Sequence, residues 1–376
     1  MTLREIVTKE IREQGPIPFS RYMELCLYHP ELGYYARPHE QFGKAGDFYT
    51  SSDVHAVFGR LLSRQFEEIW RALDSPSQID LIELGPGRGL FARDVLDWAG
   101  KTFPNFARTL RYRLIETSAH SRSRVEDRLT GHINAGRATV HAKLEDCEEH
   151  VSQNVIVFAN EFFDALPVGI ITSHGAVRVA LHGDKFVEAF TDRSPAELEY
   201  IDRFSVHPEP GQRVEISLAA QDWMLRVASL FRERTGFAIF IDYGYTREEQ
   251  LRGRHLDTLL TYRQHTTGKD PYEAPGEQDI TAHVNFTMLR SIAESQRLHF
   301  NALLTQAEFL MGIGEPSNFA DAFSEARLPQ EQAKIALQLK HLVTPAGMGE
   351  IFQVLVMSAG VPKEKAAQMS GLKFAR

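Results

Sequence analysis

The chain has little of what would mark a secreted, metal-bound or membrane-embedded protein. Only two cysteines, Cys26 and Cys147, occur in 376 residues. They lie far apart and in no C-x-x-C pairing, which excludes a disulfide framework and a cysteine zinc site. The 15 histidines are scattered, with no H-E-x-x-H or similar ligand spacing, so no metal is expected. No apolar run approaches the length that crosses a bilayer, so no membrane insertion is expected. Basic residues are outnumbered, 42 Lys and Arg against 50 Asp and Glu for a formal charge of −8. The basic footprint of a nucleic-acid partner is therefore missing. The arginines between Arg108 and Arg128 are interleaved with Glu116, Glu126 and Asp127 and read as a solvated face. The first residues mix acids and bases without an apolar signal region, so a cytoplasmic protein is expected.

What is present centres on one stretch, Ile79-Asp-Leu-Ile-Glu-Leu-Gly-Pro-Gly-Arg-Gly-Leu90. Ile79, Leu81, Ile82 and Leu84 form the nearly continuous apolar run of a central parallel strand. Gly85, Gly87 and Gly89 let the backbone turn tightly and approach a ligand with no Cβ in the way. The helix that follows would aim its free N–H groups and dipole at whatever lies there. A dinucleotide fingerprint would place a third glycine where Leu90 stands. Glu83, an acid leading into the turn, would repel a pyrophosphate and suit a ligand carrying an amino group. The run resembles motif I of the class I S-adenosylmethionine-dependent methyltransferases.

Residues 1–75 read as an N-terminal helical and lid region, with a loop Phe42-Gly-Lys-Ala-Gly-Asp-Phe-Tyr-Thr-Ser51 in which Gly46 and Asp47 are candidate cofactor contacts. Its aromatic faces could hold a cationic sulfonium. From Ile79 strands and helices alternate, which implies a parallel sheet. The expected cofactor-binding core therefore takes in 76–168 and 213–360. The stretch 169–212 breaks the alternation as an antiparallel β insertion. Residues 245–286 read as a long functional loop within the core, and 361–376 as a disordered tail.

Strand two ends in Glu116, placed to bond ribose hydroxyls. After strand three, Leu144 is a candidate apolar contact for the adenine ring, and Glu145 or Asp146 a candidate acceptor from its amino group. Strand four delivers Asn160-Glu-Phe-Phe-Asp-Ala-Leu-Pro167 beside strand one. Asn160 can hydrogen-bond without charge on the cofactor side. Glu161 and Asp164 set two carboxylates in apolar company, where buried acids need partners, and are the expected catalytic or substrate-binding pair.

Taken in order, these motifs resemble the MidA-like family, which includes the mitochondrial complex I assembly methyltransferase. The likeness rests on Gly15-Pro-Ile-Pro-Phe19, Leu27-Tyr-His-Pro-Glu-Leu-Gly-Tyr-Tyr35, Gly46-Asp-Phe-Tyr-Thr50, Glu83-Leu-Gly-Pro-Gly-Arg-Gly89, Asn160-Glu-Phe-Phe-Asp-Ala-Leu-Pro167, Asp242-Tyr-Gly-Tyr245 and Asp279-Ile-Thr-Ala-His-Val-Asn-Phe286. It implies a Rossmann-like α/β fold of the class I methyltransferase type with S-adenosylmethionine as cofactor. For the mitochondrial member it also implies arginine methylation of a complex I subunit. Asn285 stands where many relatives carry Asp. Glu161 and Asp164 would polarise a guanidinium, and His283 would accept its proton or cap its own loop. A protein substrate is expected, and the sequence is compatible with a homodimer. Three other readings stay open: a methyltransferase acting on a small molecule or nucleic acid, a non-catalytic assembly chaperone, and an NAD-dependent oxidoreductase.

Overall fold

The computed structural model describes residues 1–37, 56–263 and 266–375. Seven runs of apolar sequence form the main path of an eight-stranded sheet: β1 (Ile79–Leu84), β2 (Leu110–Ile115), β3 (Ala138–His141), β4 (Asn154–Asn160), β5 (Thr235–Tyr245), β6 (His299–Thr305) and β7 (Phe352–Ala359), with the short strand Val284–Asn285 pairing parallel to the end of β5. Their spatial order is 3-2-1-4-5-7-6. Neighbours from β3 to β5 are parallel, and β7 runs antiparallel to both β5 and β6. This is the expected Rossmann-like arrangement. The chain builds outward from β1 to β3, then returns to lay β4 on the other side of β1. That reversal is a topological switch, and it opens a crevice at the carboxyl ends of β1 and β4. Leu84 stands opposite Ala159 there.

The sheet holds its order through burial. Every residue of β1 is buried, Asp80 and Glu83 included. Asp80 is neutralised at the amino end of the strand by Arg113 at 2.5 Å and accepts from the Ser152 amide at 2.7 Å. Such a pair mainly fixes register, because desolvation offsets much of its Coulomb gain. The helix Leu90–Thr102 packs on the sheet through Phe91, which stacks on Phe158 of β4 at 4.5 Å. Phe66 meets Phe158 edge-on at 5.6 Å.

The described residues fall into two compact units. One contains the seven-stranded path. The other gathers parts of Met1–Phe48, Phe163–Leu225 and Gly244–Ile292. Its main sheet is antiparallel and includes Gly169–Thr172, Gly175–His182, Lys185–Thr191 and Arg213–Ile216. Its core is lined by Phe19, Tyr22, Val168, Ile170 and Val179.

Two segments differ from expectation. Residues 245–286 are not a plain loop: they carry the helix Arg247–Leu251 and a small sheet of Leu260–Arg263, Thr266–Gly268 and Asp279–Thr281. The supposed tail is also ordered, because Val361, Ala366, Met369 and Leu372 are apolar and bury themselves in the main core. No helix among the described residues is long and apolar enough to cross a membrane.

Phe158 carries the contacts that seat the glycine-turn helix, so Phe158→Ala should cost about 3–5 kcal/mol of stability. Chemical denaturation measures this, and a loss below about 1 kcal/mol would show that Phe91 is seated by something else.

Candidate active site

The turn after β1 takes the conformation its sequence requires. Gly85, Gly87 and Gly89 have φ of +65°, +52° and +71°, values that side chains bearing a Cβ rarely adopt. A Cβ built on Gly87 would meet nothing within 4 Å, so the backbone there lies open to a ligand. Gly89 opens the helix Leu90–Thr102, whose N-terminal amides complete an electropositive floor. At the end of β4, the Asn160 Oδ1 is shut from solvent without a hydrogen-bond partner among the described residues. An open glycine backbone, a helix N-terminus and a waiting acceptor fit a polar nucleoside ligand with amino and hydroxyl donors.

Glu116 follows β2 directly on the same carboxyl edge. Its Oε1 accepts from the Ser118 amide at 2.8 Å, and burial pushes its carboxyl up to about 7. It therefore steadies the entry to the helix Ala119–Asn134, a second role beside the expected ribose contact. Glu83 corrects the electrostatic argument drawn from the sequence. It is 4% exposed and accepts from the Tyr112 hydroxyl at 2.9 Å. Burial pushes it up to about 8, against the lowering effect of that bond. Before any ligand arrives Glu83 is thus mostly a neutral acid, so charge repulsion cannot be what disfavours a pyrophosphate. Leu144 is buried, whereas Glu145 is exposed and pairs with Arg226 at 3.7 Å. The structure so gives Glu145 a partner other than adenine.

Glu161 follows β4 with φ of +51°, a strained value for a residue with a Cβ, costing about 1–3 kcal/mol. Its carboxylate accepts from the Asn160 amide at 3.0 Å. Strain of this kind persists where surroundings impose it, and it clusters at functional sites. Phe162 carries its ring back onto Gly85, where an added Cβ would lie 2.8 Å from Cδ2. The glycine turn, Asn160 and Glu161 are therefore brought together.

Asp164 and His283 belong to the other compact unit. Asp164 is 5% exposed, and its backbone carbonyl accepts from the Ala282 amide at 3.0 Å. His283 Nδ1 lies 3.0 Å from His255 Nδ1. Burial, then the neighbouring His255, pulls its imidazole down to about 4, so it is neutral at physiological pH and a weak base. It lines a cavity of about 10 Å³ with Tyr200, Glu215, Ser217, Tyr245 and Asn285. That is room for one water-sized guest and not for a guanidinium. Asn285 donates to the Phe204 carbonyl at 2.9 Å and accepts from the Met288 amide at 3.0 Å. A carboxylate could not make the first of those bonds, which accounts for the amide at this position. Gly46 and Asp47 lie outside the described residues.

Sequence reading gave Tyr112 and Asp242 no role, although it set Asp242 at the same sheet edge, and it took Phe162 only as part of an aromatic wall. Tyr112 gives no local signal, being a strand residue 29 positions from its partner Glu83. Asp242, an acid near the end of a buried strand, carried the same signal as Glu116, but its partner Phe162 lies 80 positions away.

The raised Glu83 carboxyl sets a pH dependence. An unfolded glutamate ionises near 4.5 and this folded one near 8. Within that window the folded state holds a proton the unfolded chain has lost, so stability falls as pH rises. Glu83→Gln removes the effect. The variant should match the wild type near pH 4.5 and exceed it by more than about 1 kcal/mol at pH 8.5. Denaturant titrations at the two pH values measure this, and a constant difference would contradict a buried neutral Glu83.

Comparisons with known proteins identify the family. Residues 61–303 match a family carrying the description "Putative S-adenosyl-L-methionine-dependent methyltransferase". The mitochondrial protein arginine methyltransferase NDUFAF7 homolog of Drosophila melanogaster is 31% identical across 96% of this chain and 85% of its own. Its Danio rerio counterpart is 29% identical across 93% and 85%. Among solved structures, a Burkholderia thailandensis protein bound to S-adenosyl-homocysteine superposes with a TM-score of 0.81 at 25% identity, covering 99% of this chain and 95% of that one. The chain belongs to this methyltransferase family and is an S-adenosylmethionine-dependent enzyme.

Proposed function

We propose that the enzyme methylates an arginine side chain of a protein, and that this protein is a subunit of a respiratory complex I-type assembly. The observation that carries the arginine reading is the 31% identity, over 96% of the chain, to a relative named as a protein arginine methyltransferase. The complex I part rests on the family resemblance in the sequence. The proposal assigns acceptor recognition to the unit that includes the 169–212 and 245–286 segments.

When bound, S-adenosylmethionine supplies an electrophilic methyl group on a positively charged sulfur. Gly85, Gly87 and Gly89 would hold it by their backbone, Glu116 by its ribose and Asn160 by its polar edge. The acceptor poses a separate difficulty. Arginine is always protonated, with its charge spread over a planar fork. The nitrogen that gains a methyl must recover lone-pair character and lose one proton. Carboxylates do this by bonding the fork and drawing charge away from the attacking nitrogen. Glu161 and Asp164 take that role in the proposal, with the Glu161 carboxylate aimed by the Asn160 amide. Holding nitrogen, methyl and sulfur in line can supply up to roughly 7–11 kcal/mol of the barrier. His283, a weak base held down to about 4 beside a cavity too small for a guanidinium, is left the loop-capping role, and the released proton goes to water.

The test is transfer of isotopically labelled methyl from S-adenosylmethionine in a cell extract, with the product sited by mass spectrometry. Label is expected on an arginine of a respiratory complex I subunit. Glu161→Gln and Asp164→Asn should each lower transfer by at least about 100-fold while still binding S-adenosylhomocysteine. Label on lysine, on a small molecule or on nucleic acid would overturn the arginine reading. Label on an arginine of an unrelated protein would overturn only the complex I part.

A further inference from the structure

Asp242 sits near the end of β5 and is fully enclosed, at 0% exposure. An acid shut away from water needs partners, and two of its partners are backbone amides. Oδ2 accepts from the Phe162 amide at 3.2 Å and Oδ1 from the Tyr243 amide at 2.9 Å. The first of these bonds falls just after the strained residue. Glu161 keeps its left-handed φ of +51° while its own amide donates to the Ile241 carbonyl at 2.9 Å. Two successive amides, of Glu161 and Phe162, are thus tied to two successive residues of β5, Ile241 and Asp242. The tie has a consequence on the other side of the turn, where the Phe162 ring lies against Gly85, the first residue of the cofactor-binding turn.

We propose that Asp242 is a positioning residue for S-adenosylmethionine binding. By fixing the Phe162 amide it holds Glu161 in the left-handed conformation and the Phe162 ring against Gly85. The glycine turn is thereby kept in the shape the cofactor needs. The acceptor-side motif and the cofactor turn are one mechanical piece, joined through a carboxylate that touches neither substrate. The inference concerns the cofactor alone and holds whichever acceptor is methylated.

Calorimetry with S-adenosylhomocysteine on the full chain tests it. Asp242→Asn keeps the shape but offers an amide N–H₂ to one of the two amide donors. It should weaken binding about tenfold, the scale of one lost charge-assisted hydrogen bond. Phe162→Ala should weaken binding similarly. The double variant should stay near tenfold instead of reaching about a hundredfold, because both changes break one linkage. Glycine adopts positive φ without being forced, so Asp242→Asn combined with Glu161→Gly should bind within about threefold of Glu161→Gly alone. Asp242→Asn combined with Glu161→Ala should stay weak. As a control for general destabilisation, Leu310→Ala, in the buried core of the same unit, should lower the melting temperature and leave affinity unchanged. Wild-type affinity for Asp242→Asn, multiplying effects in the double variant, or failure of the glycine rescue would each overturn the proposal. Should Asp242→Asn alone not fold, the comparison of its Glu161→Gly double variant with Glu161→Gly decides the matter.

Discussion

The active site depends on a single close approach: the Phe162 ring against the Cα of Gly85. The parallel sheet makes that approach possible by adding β4 on the other side of β1 from β2, which sets Leu84 beside Ala159. Each strand then has to leave the sheet in a conformation that ordinary residues avoid. After β1 the difficulty is met with glycine, which adopts positive φ readily. After β4 it is met by force, because Glu161 carries a side chain and is held by the end of β5. A carboxylate kept under strain at a crevice mouth indicates a position selected for what it does, since glycine would fold there more easily.

Burial shapes the chemistry of the acids around this crevice more than formal charge does. Glu83 and Glu116 are both pushed upward, to about 8 and about 7. The resting pocket is therefore less anionic than its sequence suggests. Tyr112 compensates the buried Glu83 by donating a hydrogen bond, and Ser118 does the same for Glu116. Of the acids at this edge, Glu83 and Glu116 thus contribute less negative charge than their number implies.

Much of this was legible in the residues. The apolar runs of β1 and β4 could only be covered strands, and the alternation that follows them gave the direction of the sheet. The positions of Gly85, Asn160 and Glu161 at strand ends followed from that topology. The protonation of Glu83 did not, because its cause is complete burial beneath the assembled sheet, against the opposing bond from Tyr112, and local sequence does not encode that enclosure. Neither did the left-handed Glu161, whose clamp lies some 80 residues away at Asp242. The C-terminal segment was misjudged because its apolar residues are sparse. Ala366, Met369 and Leu372 are spread over two short helical turns and the extended residue between them, and each is buried. The 245–286 segment misled for the opposite reason: turn-forming residues dominate it, yet three short strands pair within and beside them.

An open glycine floor braced by a preformed Glu161–Phe162 turn is the central proposal for ligand binding. Amide hydrogen exchange with and without S-adenosylhomocysteine examines both halves at once. The Glu161 and Phe162 amides should be protected already in the free chain, and the Gly87 and Arg88 amides should gain protection when the ligand is added. Free-chain exchange of Glu161 and Phe162 at the rate of an unstructured peptide, or a glycine turn indifferent to the ligand, would contradict it.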